Sequence, residues 1–191
     1  RVIYKFVWNS YCDWYLELSK TILFSKNKKH IREVKSTAAF IFKESLVLLH
    51  PFIPFITEEL WLKNKLRRQK EKYLMYANWI KDKKVQKDKE IKNVDQIIDS
   101  ISKIRSFKNE LNVSPGSFID ISIQDISKEK QSLFLKNEVL LKKLGRINSI
   151  FTKDSSNESA DLVISGEVLK IYFDKNVDLN LIKDNLMKKQ D

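Results

Sequence analysis

The change of hydrophobic period at Ser114-Pro115-Gly116 constrains this chain more than any other feature. Ahead of it, apolar residues recur every three or four positions, the signature of helices with one buried face. The first run, Val2 to about Ser25, carries Ile3, Val7, Tyr11, Trp14, Leu18 and Ile22 at that spacing, with Phe6, Trp8 and Tyr15 widening the stripe. A second, Lys28 to His50, carries Ile31, Val34, Ala38, Ile41, Phe42, Leu46 and Leu49. It should stop at His50-Pro51, because proline disfavours helical geometry in the residue before it. Phe52-Ile53-Pro54-Phe55 then opens a third helix, with proline tolerated in the first turn. Glu58 and Glu59 toward its start and Arg67 and Arg68 toward its end suit the helix dipole. Residues 70–90 read as a loop with one apolar patch, Tyr73, Leu74, Met75, Tyr76 and Trp79. A fourth helix, about Ile91 to Leu111, shows Val94, Ile97, Ile98, Ile101, Ile104 and Leu111 on one side.

Beyond Gly116 the period falls to two. Ile119, Ile121 and Ile123 alternate with Asp120, Ser122 and Gln124, as a half-buried strand requires. A helix from Lys128 to Leu144 follows, then strands near Asn148–Thr152, Asp161–Ile164 and Val168–Asp174. Ser165-Gly166 between the last two signals a hairpin. Leu179, Ile182 and Leu186 begin another helix. Only three glycines and three prolines are available for turns, which favours helix throughout. The expected architecture is mainly α: an antiparallel helical bundle over 1–112, a small α+β subdomain over 113–178, and a helical arm beginning at 179–191.

Several classes of function are disfavoured. No apolar run approaches the ~20 residues that cross a bilayer, and no signal segment opens the chain, so a cytosolic protein is expected. The lone Cys12 excludes an internal disulfide and a multi-cysteine zinc site. There is no phosphate-binding glycine loop, Ser/His/Asp set or His/Cys metal spacing, so neither catalytic residues nor a metal site are expected here. His30 and His50 sit in separate helices, and His50, beside a proline, suits packing or capping. The start at Arg1 rather than methionine suggests a piece of something longer.

What remains is binding. The net charge of +11 comes from the first half, where residues 1–90 hold 20 Lys/Arg against 10 Asp/Glu. Eleven of these cations lie between Lys63 and Lys89. Such a field attracts polyanions, although a solvated lysine-rich face reads the same way. On the fourth helix Arg105, Lys108, Asn109 and Asn112 recur at spacings of three and four, offering cations and amides of the kind that contact phosphates and unstacked RNA bases. A plain solvated polar face is the alternative.

Three stretches go further: Trp8 to Lys20 (Trp-Asn-Ser-Tyr-Cys-Asp-Trp-Tyr-Leu-Glu-Leu-Ser-Lys), Leu48 to Trp61 (Leu-Leu-His-Pro-Phe-Ile-Pro-Phe-Ile-Thr-Glu-Glu-Leu-Trp), and Ile104 to Gly116 (Ile-Arg-Ser-Phe-Lys-Asn-Glu-Leu-Asn-Val-Ser-Pro-Gly). Together they resemble the anticodon-binding region of class I aminoacyl-tRNA synthetases, the valyl group in particular, with the isoleucyl and leucyl groups as alternatives. The resemblance implies a helical bundle that docks the anticodon stem and loop of a valine-accepting tRNA. It also implies a parent enzyme that uses ATP and magnesium to attach valine, with catalytic and editing domains elsewhere in the chain. The His-Ile-Gly-His and Lys-Met-Ser-Lys-Ser signatures of that chemistry do not occur in this sequence.

Under the same resemblance, Lys63, Arg67, Arg68, Arg105, Lys108 and Asn112 are the candidates for RNA contact. Lys108 stands where the family commonly has arginine, and so lacks the planar two-pronged donor. Trp14, His50, Pro51, Phe52, Pro54, Phe55 and Trp61 are expected to form the packing hinge of the first three helices. A protein-interaction module that docks through Tyr73–Trp79 is the reading from a different class.

Overall fold

In the computed structural model, which describes residues 1–66, 73–81, 89–153 and 159–173, the chain opens with a continuous helical rod. Its ends are α-helical, α1 over Val2–Lys5 and α2 over Glu17–Leu23, while Phe6–Leu16 between them is π-helical. The apolar spacing anticipates the rod but not the i→i+5 winding, because side chains three and four apart share a face in either form. Aromatic rings stack along the rod, Tyr4 on Trp8 at 6.3 Å and Tyr11 on Tyr15 at 5.7 Å between centroids.

Helix α3, Lys28–Leu49, runs back along it. Asn27 caps its start, its side-chain oxygen accepting from Lys29 N at 3.1 Å and His30 N at 3.2 Å, which satisfies two of the first-turn donors. The Tyr11 hydroxyl donates to Ala38 O and that of Tyr15 to Val34 O, each at 3.0 Å. A step of four up one helix meets a step of four down the other, so the pair is antiparallel.

Pro54 begins α4, Pro54–Lys63, as a first-turn proline should. Leu46 and Val47 of α3, Trp61 of α4 and Leu74 of a 3-10 turn at Leu74–Tyr76 form the core here, flanked by Phe42, Leu60, Leu66, Ala77 and Ile80. Glu58 does not serve its helix N-terminus. Both its carboxylate oxygens accept from Leu74 N, at 3.0 and 3.2 Å, which ties the aromatic loop to α4.

Helix α5, Lys89–Glu110, buries Ile97, Ile101, Ile104 and Phe107 and packs against α7 and β3. A four-stranded sheet follows, in the order β2-β1-β4-β3: β1 Ile119–Ser122, β2 Ile147–Phe151, β3 Ala160–Ile164 and β4 Glu167–Phe173. β1 is parallel to β2 and antiparallel to β4, and β3 and β4 form the hairpin expected at Ser165-Gly166. Both turn residues have positive φ, 54° and 82°, the pairing that matches strand twist in a two-residue turn. The parallel pair needs a crossover, which α6, Lys128–Lys136, and α7, Glu138–Gly145, supply. The sequence suggests one helix here. Asn137 divides it, its side-chain amide and backbone N–H both donating to Leu133 O while its own carbonyl accepts from Leu140 and Leu141.

The chain thus separates into two compact units, Arg1–Gln86 and Lys87–Asp191. The boundary falls before α5, whereas the period change alone suggests one after residue 112. Helix α5 belongs with the sheet because its buried stripe faces α7 and β3. The helical arm expected at 179–191 lies outside the described residues. Among the described residues no helix is long and apolar enough to cross a membrane.

Candidate nucleic-acid interface

The basic run begins at the end of α4, where helix geometry puts Glu59 and Lys63 on one face. Lys63 Nζ lies 2.8 Å from Glu59 Oε1, both side chains well exposed. This contact holds the Glu59 carboxyl below its ordinary value and raises the Lys63 ammonium, so Lys63 keeps its proton but shares its charge. Arg67 and Arg68 lie outside the described residues.

On α5 the four polar positions separate. Arg105, Asn109 and Asn112 are exposed, and Lys108 is buried, only 2% exposed. Its ammonium donates to Ser117 O and, at 3.4 Å, to Pro115 O. Burial, then repulsion from Arg146 and Arg105, lowers its pKa from the usual lysine value. Lys108, a candidate for RNA contact by its spacing, therefore does not share the exposed side of α5 with Arg105 and Asn109, and holds the Pro115–Ser117 loop from beneath.

Arg105 Nε donates to Leu144 O at 2.9 Å, near the C-terminal end of α7, where a cation also meets the negative end of the dipole. Asn112 ends α5 in the left-handed region at φ 55°. Val113 N returns to Lys108 O at 2.9 Å and Asn112 N to Asn109 O at 3.1 Å, a double return that closes the helix. That backbone role accounts for an asparagine here without a ligand.

Of the string expected at the helix hinge, Trp61 is fully buried, its ring under Lys43 Nζ at 4.9 Å from the centroid. His50 is half-buried, with Nδ1 2.8 Å from Thr57 Oγ1. The same Thr57 hydroxyl lies 2.9 Å from Ile53 O and 3.0 Å from Pro54 O, so it links the end of α3 to the first turn of α4. Trp14 is half-buried and Pro51 and Pro54 are exposed. Phe52, in the turn before α4, and Phe55, in its first turn, stand outside the packed set, 76% and 90% exposed. Exposed with them in this unit are Tyr4, Trp8, Met75, Tyr76 and Trp79.

Sequence reasoning passes over Arg146 and Phe118. Arg146 follows α7 at φ 55°, and its guanidinium lies 5.7 Å from the centroid of the Phe118 ring. A bulky residue at a helix end where glycine is usual is the available signal. Among the described residues no three His, Cys, Asp or Glu side chains gather as a metal ion would need.

Exposed cations, amides and aromatic rings on a helical scaffold are suited to holding a polyanion. A family model described as the anticodon-binding domain of tRNA ligase matches residues 1–123. The chain belongs to that family. The match spans α1 to the first strand of the sheet, so the anticodon-binding domain takes in the first unit and α5. Among curated relatives, the valine–tRNA ligase of Pelagibacter ubique is 55% identical over 98% of this chain and 21% of its own length. That of Ruegeria pomeroyi is 31% identical over 98% of this chain and 18% of its own. That of Caulobacter vibrioides is 34% identical over 86% of this chain and 18% of its own. The chain thus spans about a fifth of the length of these relatives.

Proposed function

We propose that this chain is the tRNA-recognition part of a valine–tRNA ligase and docks the anticodon stem and loop of a valine-accepting tRNA. The observation that carries the reading is the match to relatives of that name along nearly the whole chain. It favours the valyl over the isoleucyl and leucyl groups. Lys63, Arg67 and Arg68 supply salt-dependent attraction to phosphates, and Arg105 and Asn112 lie on the exposed side of the α5 end. Lys108 acts through the loop it supports rather than by touching RNA. The remaining length of such an enzyme would bind ATP and magnesium in the cytoplasm, activate valine and edit errors. The exposed aromatic side chains of the first unit, Tyr73 to Trp79 among them, are the surface on which those catalytic and editing domains would pack, since monomeric proteins rarely leave so much apolar surface bare.

The test is binding of the complete gene product to a valine tRNA transcript and to an unrelated RNA hairpin of equal length, across a series of salt concentrations. Preference for the tRNA, with log affinity falling linearly in log salt, supports the reading. Equal binding to both RNAs rejects it.

A further inference from the structure

Arg146 occupies a backbone position that favours glycine. At φ 55° and ψ 51° it is in the left-handed region, where Cβ crowds the following carbonyl. The backbone bonds made there, Arg146 N to Lys142 O and Ile119 N to Arg146 O at 3.1 Å, are open to any residue. The main chain gains nothing from an arginine. The side chain reaches over Phe118, an aromatic ring left 48% exposed. Ser114, Pro115 and Gly116, just ahead of that ring, are exposed too. Arg105 anchors on Leu144, two positions before Arg146, so a second cation borders the same spot. Nearby charges repel: Lys108 feels Arg146 and Arg105 as unfavourable neighbours. Clustered like charges beside an exposed ring gain most when an anion carrying a flat group arrives, and a nucleotide of unpaired RNA is that combination.

We propose that Arg146 and Phe118 form a ribonucleotide contact, the guanidinium taking an RNA phosphate and the ring stacking on the adjoining unpaired base. This rests on the reading that the chain binds tRNA, and it adds a contact within the second unit.

The experiment uses the complete gene product with Arg146→Gly, Arg146→Asn and Phe118→Leu. Glycine and asparagine suit the left-handed backbone, so thermal melts of both Arg146 variants should match or exceed the wild type. Affinity for the valine tRNA should fall about tenfold, and the slope of log affinity against log salt should shrink by about 0.7, the value for one phosphate of a single-stranded segment left without its cation. Phe118→Leu should weaken binding about tenfold with the slope unchanged, since stacking releases no counterions. Wild-type binding with unaltered affinity in the variants overturns the inference and leaves the tRNA reading intact. So does weakened binding by the Arg146 variants at an unchanged salt slope, which would show that the guanidinium meets no RNA phosphate. A wild type that does not prefer the tRNA over the hairpin sinks the reading beneath it. Melting temperatures lowered by Arg146→Gly would show that the arginine serves the fold.

Discussion

Lys108 and Trp61 show how differently single residues of similar burial behave. Trp61 fills the small core of the first unit, and its replacement by alanine should cost about 3–5 kcal/mol, read as a lower midpoint in urea unfolding. Lys108 is as enclosed but charged, and burial depresses its pKa from the ordinary lysine value of 10.5. Between its folded and unfolded pKa values the unfolded chain binds more protons, so this group's contribution to stability improves as pH rises through that window. The unfolding midpoint of the wild type should therefore gain on that of Lys108→Met as pH rises toward the ordinary lysine value of 10.5. An equal shift in both proteins would show that the ammonium is not strained by burial. Neither outcome follows from residue type, since a lysine in a polar stripe reads as solvated until a loop folds over it.

Elements were legible where their period is long or their turn chemistry strict. The β3–β4 hairpin was visible because Ser-Gly between alternating strands has few other uses, and both residues take positive φ. Ser165→Asn, which tolerates that region better, should raise stability by about 0.5 kcal/mol, and Gly166→Val should lower it by at least about 1 kcal/mol. Thermal melts check both. The break at Asn137 was not visible, because the apolar spacing of α6 and α7 continues across it. Between α6 and β4 the Glu167 carboxyl would be raised by burial, but hydrogen bonds from Ser127 and its contact with Lys130, 3.2 Å away, hold it below the ordinary value. A depressed carboxyl stabilises the fold above its unfolded pKa and loses that effect as pH falls through the folded one. Glu167→Gln should thus flatten the acid limb of a stability profile below about pH 4.5. An acid limb identical to the wild type would remove this pair from the account.

At the scale of the whole molecule the proposed task is electrostatic, and the cations carrying it lie mainly in the first half of the chain. Arg67→Ala with Arg68→Ala should weaken tRNA binding and reduce the salt slope by up to about 2, one for each phosphate that no longer meets a cation. A slope unaltered by the double change would move the interface elsewhere. Helical and strand halves, the stops at His50-Pro51 and Ser114-Pro115-Gly116, and the basic field were all determined by the sequence itself, because periodicity, proline sterics and charge are local properties. Family membership was legible too, in strings whose order and spacing survive without any fold. Only the tertiary structure decided that α5 joins the sheet, that Lys108 turns inward while Arg105 stays at the surface, that Phe52 and Phe55 remain bare, and that Arg146 meets Phe118. Those outcomes depend on which faces come together across long stretches of chain, and pairwise burial of distant segments leaves no mark in the order of residues along either one.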